Sequence, residues 1–408
     1  MRGLAIVMVM VGHFWLGARP RNGLESGLFT VMQNGWIGVD LFFVLSGFLI
    51  TGILLEAKGA EAYFRNFYAR RVLRIFPLYY GFLVAFFLIA PLVMHPDPAG
   101  PFAVSSGTQP WYWTYTSNFL ALVKGVQIPQ GLNHFWTLAV EEQFYFIWPA
   151  IVLLMSRSAL KKLCLALVVV ALAFRVGLRF TDYYHTGGFV LTPSRIDSLA
   201  IGAWLAVMVR DRDTHQWLER FAPAAFVSAA VLLLVVNLPD ERMFGYDLVM
   251  QTVGFPLLAI MSASLIVLTT GQWRPNGRVR RFFESRPMGF FGKYSYGMYV
   301  LHLPLVVLLE RVGFGITSFP RVGGSDVPAA FAYTLTAMAG TTILAFASWH
   351  LYEKQFLKLK RLFPLPGSAA SKAALENLDD ASSSDRARAA WSQLQLEPVS
   401  TAGNEGEV

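Results

Sequence analysis

Cysteine is nearly absent from this sequence: Cys164 is the one cysteine in 408 residues. It sits inside the apolar run KKLCLALVVVALAF, which excludes an intrachain disulfide and a cysteine-based metal centre and leaves a packing residue. No metal site is expected. Charge is also scarce, at 15% Asp, Glu, Lys and Arg, against about 25% in an ordinary soluble domain. With 55% hydrophobic residues and a mean hydropathy of +0.46, this excludes a typical soluble globular protein. No internal repeat is visible, which counts against an inverted-repeat transporter. No cleavable leader is expected, because the first apolar run ends in GHFWLGARP without a small-residue cleavage site. The net charge of +8 suggests nucleic acid at first sight. Membrane proteins collect Lys and Arg in their cytoplasmic loops, so no nucleic-acid partner is expected.

What is present is a series of apolar stretches near the ~20 residues that cross a bilayer. They run over 3–18, 36–55, 76–94, 144–156, 163–180, 195–209, 222–238, 251–270, 289–310 and 329–351. The expected fold is an all-α integral membrane protein of about ten transmembrane helices, with no separate soluble domain. The stretch WYWTYTSNFLALV (111–123) is short and aromatic and reads as interfacial or re-entrant. With the N-terminus inside, the inner loops hold Lys58, Arg65, Arg70, Arg71, Arg74, Arg157, Lys161, Lys162, Arg210, Arg212, Arg220, Arg274, Arg278, Arg280, Arg281 and Arg286. Lys354, Lys358, Lys360 and Arg361 follow the last span. The outer loops hold Arg19, Arg21, Lys124, Arg242 and Arg321, an asymmetry of about four to one that places both termini in the cytoplasm. Residues 361–408 are small, polar and mixed in charge, and read as a disordered cytoplasmic tail.

Ionisable residues inside spans are costly, and each demands a partner or a role. Arg2 and His13 bracket an apolar helix, about 16 Å apart along its axis. Arg2 alone reads equally well as a flanking charge. His13 suits proton transfer, because an unperturbed imidazole titrates near neutral pH. In GVDLFFVLSGFLITG the plain reading has Asp40 capping a helix start and Ser46–Gly47 permitting close packing. In YARRVLRIFPLYY, Arg70, Arg71 and Arg74 fit topogenic charge and anionic lipid, or a bidentate phosphate site. LNHFWTLAVEEQFYFIWP crowds His134, Glu141, Glu142 and Tyr145 into the entry of a span. Glu142 and Tyr145 share a face there. Arg195 and Asp197 are two apart and face different ways on a helix, so each is expected to partner another helix. Tyr296, Tyr299 and His302 fall near the centre of a later span, and Glu353 at the inner end of the last one.

Taken in order, RGLAIVMVMVGH, GVDLFFVLSGFLI, RRVLRIFPLYY, HFWTLAVEEQFYFIWP, SRIDSLAIGAWLA and GKYSYGMYVLHLPL resemble the blocks of the membrane acyltransferase 3 family, found in bacterial surface-glycan O-acyltransferases. The resemblance covers residues 1–360 as one transmembrane acyltransferase domain. It departs at the start, where the residues that usually precede the family's arginine, typically including Leu-Asp, are missing. It implies a multi-pass enzyme of the bacterial inner membrane. Such an enzyme moves an acyl group, usually acetyl, from acyl-CoA to a hydroxyl of a sugar, glycan or glycoside, with no bound cofactor. The implied catalytic set is His13, Arg2, Glu142 and Glu141, with His13 as general base or acyl relay. Arg71, Arg74 and Arg70 are the implied acyl-CoA contacts. His134, Tyr145, Arg195, Asp197 and His302 would bind acceptor or support the site. A polytopic transporter of a small anionic or glycan-related substrate is the rival reading; it predicts flux without covalent change.

Overall fold

The computed structural model describes residues 1–91, 107–123, 129–237, 246–270 and 277–364. The expected tail lies outside the described residues from 365 onward, as do Lys124, Arg242 and Arg274 of the loop tally. In hydrocarbon only a helix or a closed barrel satisfies every backbone N–H and C=O. The described residues take the helical solution: they contain no sheet, and one isolated bridge joins Val322 and Ser325.

The principal helices are α1 (Arg2–Phe14), α2 (Gly38–Ala57), α3 (Tyr63–Val84), α4 (Trp136–Leu154), α5 (Arg157–Leu178), α6 (Thr192–Met208), α7 (Arg212–Asn237), α8 (Phe255–Thr270), α9 (Arg286–Arg311) and α10 (Val327–Ser348). Each apolar stretch named above falls on one of them. Among the described residues, six helical stretches are long and apolar enough to cross a membrane: 23–57, 63–89, 131–154, 212–236, 250–270 and 327–362. The chain is thus a multi-pass membrane protein. Two boundaries differ from the sequence expectation in ways that matter. α1 stops at Phe14, and Gly17 turns the chain with φ +93°. α4 starts at Trp136 rather than near 144, so Glu141 and Glu142 lie inside the helix and not at its entry. Segment 111–123 is no span: it makes two short helices, Gln109–Trp113 and Ser117–Leu120, joined through Tyr115 at φ +54°.

Close helix contact is set by small residues. α2 and α6 cross so tightly that a Cβ on Gly47 would collide with the Leu199 carbonyl, and one on Gly202 with the Val44 carbonyl. Backbone approach of this kind gains dispersion where lipid offers no hydrophobic drive. Polar ties fix neighbouring helices. Trp148 donates to Thr51 Oγ1 at 2.8 Å, Tyr63 donates to the Pro149 carbonyl at 2.9 Å, and Lys58 covers the carbonyls of Val152 and Met155 at the end of α4. Gln143 donates to Tyr115 O and Asn118 Oδ1 and accepts from Thr192, which pins the short helices against α4 and α6.

Candidate active site

Five helices converge on a cavity of about 80 Å³. α1 contributes Arg2 from its first turn. α2 contributes Val39, Phe42, Phe43 and Ser46; α3 contributes Arg71, Arg74 and Ile75. The rest of the wall is Thr137, Leu138, Glu141, Glu142 and Tyr145 of α4 with Ser295, Tyr296 and Tyr299 of α9. The spacing explains the convergence. Positions 71 and 74 are one turn apart on α3, and 138, 141, 142 and 145 recur at helical period on α4.

Three guanidinium groups therefore reach one space: Arg2, Arg71 and Arg74. Among the described residues, none of them forms an ion pair with a carboxylate, although Glu141 and Glu142 line the same cavity. Glu141 is engaged elsewhere: Ser46 donates to its Oε1 at 2.5 Å, and Tyr145 donates to Ser46 Oγ at 2.9 Å. The Arg71 guanidinium carbon stands 4.7 Å from the Tyr145 ring centroid. A planar cation held on an aromatic face keeps its edge donors available for a ligand. Arg70, grouped with these arginines from the sequence, does not line the cavity; its Nη1 donates to the carbonyls of Lys360 and Phe363.

Histidines gather behind the wall formed by Thr137 and Tyr299. These two hydroxyls meet at 2.5 Å, and both lie within hydrogen-bonding reach of the His134 carbonyl. His302 is fully buried, with Nε2 3.1 Å from Nδ1 of His13. The His134 ring stands 4.8 Å from that of His302. His13, at the far end of α1 from Arg2, is only partly covered and does not line the cavity. His134 is 3% exposed, and neither ring nitrogen has a hydrogen-bond partner.

A third group backs the cavity. Asp40 does not cap α2: its Oδ1 accepts from Arg195 at 2.7 Å and from Ser198 at 3.1 Å. Asp197 pairs with Arg175 at 2.7 Å, and all four charged side chains are fully buried. Arg195 and Asp197 thus partner α2 and α5, as their two-residue spacing requires. The Arg195 guanidinium lies 3.9 Å from the Phe255 ring centroid and 5.5 Å from that of Phe43, a cavity residue. Glu353, one turn beyond the end of α10, is buried and accepts from Ser348 at 3.1 Å. Sequence reasoning passed over Arg175, a cation inside an apolar run and therefore detectable by its cost. Thr137 and Ser295 carry no such signal, being ordinary helix hydroxyls.

Residues 1–350 match the family described as "Acyltransferase domain". YrhL of Bacillus subtilis, whose naming as a peptidoglycan O-acetyltransferase is provisional, is 29% identical over 343 residues, covering 80% of this chain and 51% of its own. The peptidoglycan O-acetyltransferase OatA of Listeria monocytogenes is 26% identical over 323 residues, covering 76% of this chain and 49% of its own. O-acetyltransferase OatA of Staphylococcus aureus is 26% identical over 303 residues, covering 68% and 47%. The chain spans about half the length of these relatives. No solved structure matches. The chain belongs to the acyltransferase family, the one its ordered motifs resemble.

Proposed function

From membership of that family, we propose that this protein is a membrane O-acyltransferase acting on a cell-envelope glycan, with acyl-CoA, usually acetyl-CoA, as donor. The observation that carries the reading is the convergence of Arg2, Arg71 and Arg74 on one cavity without carboxylate partners. Three cations set against two cavity carboxylates, with no direct ion pair between them, support a receptor for an anion, and guanidinium forks match phosphate oxygens. The basic inner loops orient the protein with ten spans, both termini cytoplasmic and the membrane the bacterial inner one. Arg2, Arg71 and Arg74 then face the cytoplasmic donor, while His13 lies about 16 Å further along α1. The naming of the relatives as peptidoglycan O-acetyltransferases supports a sugar hydroxyl as the acceptor, approached here from the outer face.

The chemistry is a transfer from thioester to ester. In direct attack, the acceptor hydroxyl adds to the thioester carbonyl and His13 removes its proton. The C–S bond then breaks, and the CoA thiolate leaves with the electron pair. In a relay, His13 adds first, the thiolate leaves, and the acceptor hydroxyl displaces the imidazole. Glu142 and Glu141 line the same cavity as the arginines, Thr137 and Tyr299, where a carboxylate can orient an acceptor hydroxyl.

Purified protein in vesicles, given radiolabelled acetyl-CoA and a glycan acceptor, tests this. Arg71→Gln/Arg74→Gln should weaken donor binding more than tenfold, because each charged contact contributes about 1.5–3 kcal/mol. His13→Ala should bind donor normally and lose about 10²–10⁴-fold in transfer. Donor affinity unchanged in the double variant, or wild-type turnover without His13, would overturn the reading. Flux of unmodified ligand with no acylated product would replace it with the transporter.

A further inference from the structure

The hydrogen bonds around His302 identify which nitrogen of His13 does the work. Nδ1 of His302 is 2.7 Å from the Tyr299 carbonyl and 3.2 Å from the Met298 carbonyl. Carbonyls only accept, so this nitrogen carries the proton. A neutral imidazole has one proton, so Nε2 of His302 presents a lone pair. A doubly protonated ring would need a buried counter-charge. The polar neighbours of this fully buried ring are instead two carbonyls and the histidines His13 and His134. The His302 lone pair faces Nδ1 of His13 at 3.1 Å, so Nδ1 of His13 must be the donor. That leaves Nε2 of His13 with its lone pair. The His134 ring, set at 68° to that of His302, packs against it.

We infer that His302 is a positioning residue that fixes His13 in the Nδ1–H tautomer, making Nε2 of His13 the atom that takes the proton or the acyl group. The inference rests on the role proposed for His13, and it serves direct attack and relay alike. Without the His302 lone pair, the His13 ring loses its tie to α9 and is left with the Val9 carbonyl of its own helix, so its reacting nitrogen is no longer held in place. Second-layer partners of this kind typically contribute about 10–100-fold.

The test is steady-state acyl transfer by the full chain in vesicles, comparing His302→Ala, His302→Asn, His302→Gln and His13→Ala. A glutamine side chain places an amide oxygen near the position of imidazole Nε2, whereas asparagine reaches only as far as Nδ1. We expect His302→Ala and His302→Asn to lower kcat about 10–100-fold with donor KM unchanged, and His302→Gln to recover most of the loss. A purely structural histidine would give equal losses in all three variants, together with reduced yield or a raised KM, and that pattern overturns the inference. Wild-type kcat in His302→Ala with an inactive His13→Ala also overturns it while leaving the role of His13 standing. Wild-type kcat in His13→Ala removes the functional reading itself.

Discussion

Removing one charge from the buried ladder between α2 and α6 should cost stability out of proportion to the atoms changed. Asp40→Asn keeps side-chain shape and loses the charge that neutralises Arg195 at 2.7 Å. At an effective dielectric of ~20, two charges ~4 Å apart attract by about 4 kcal/mol. Removing one partner of a buried pair costs about 3–5 kcal/mol, because the remaining ion stays in a site water cannot reach. Arg195 makes this acute: its Nε and Nη1 already have no hydrogen-bond partner, and the aromatic faces of Phe255, Phe43 and Phe189 surround its guanidinium. Such a loss is a large share of the ~5–15 kcal/mol that holds a domain together. Arg195→Met should destabilise comparably by stranding Asp40. The double variant Asp40→Leu/Arg195→Met should lose much less than the sum, since replacing both ions by apolar groups is often close to neutral. The assay is thermal unfolding of all three variants in one detergent. Acyl transfer should be measured well below the transition, because Phe43 contacts the ladder and lines the cavity. Unfolding of Asp40→Asn at the wild-type temperature, or strictly additive losses in the double variant, would refute the reasoning.

Further expectations concern topology, packing and the carboxylates. Cysteine placed at the exposed positions 65 or 278 should resist an impermeant thiol reagent in intact cells and react after lysis, against the quiet background of buried Cys164; labelling from outside would refute the cytoplasmic assignment of these loops. Gly202→Leu should abolish stable folding, since its Cβ would meet the Val44 carbonyl, whereas leucine at the uncrowded Gly289 should be tolerated; equal yields of the two would count against the tight crossing. Glu142→Gln should keep the fold and lower transfer by at least about tenfold if this carboxylate orients a reacting hydroxyl; a wild-type rate would remove it from the site.

Much of the site was legible because charge is so costly in hydrocarbon. Arg2, His13, Glu141, Glu142, Arg195 and Asp197 stand out against apolar runs. Helical periodicity puts Arg71 and Arg74 on one face. The same logic misplaced the start of α4, since two adjacent carboxylates look like the end of a span. They lie within the helix because a cavity, and not lipid, receives them.

Composition and hydropathy by themselves determined an α-helical membrane chain, since a backbone in hydrocarbon must satisfy its own hydrogen bonds. The order of the polar blocks determined the family. Only the tertiary structure decided the pairings. It matched Asp40 with Arg195 and Arg175 with Asp197, turned Arg70 toward Lys360 and Phe363, and set Arg2, Arg71 and Arg74 around one cavity with no direct ion pair to its carboxylates. It also brought His302 to His13 across 289 residues of chain. The physical reason is one of range. Burial cost and periodicity act within a helix and can be read along it, whereas a partner is chosen by how helices cross, through contacts such as Gly47 on Leu199 that no local pattern encodes.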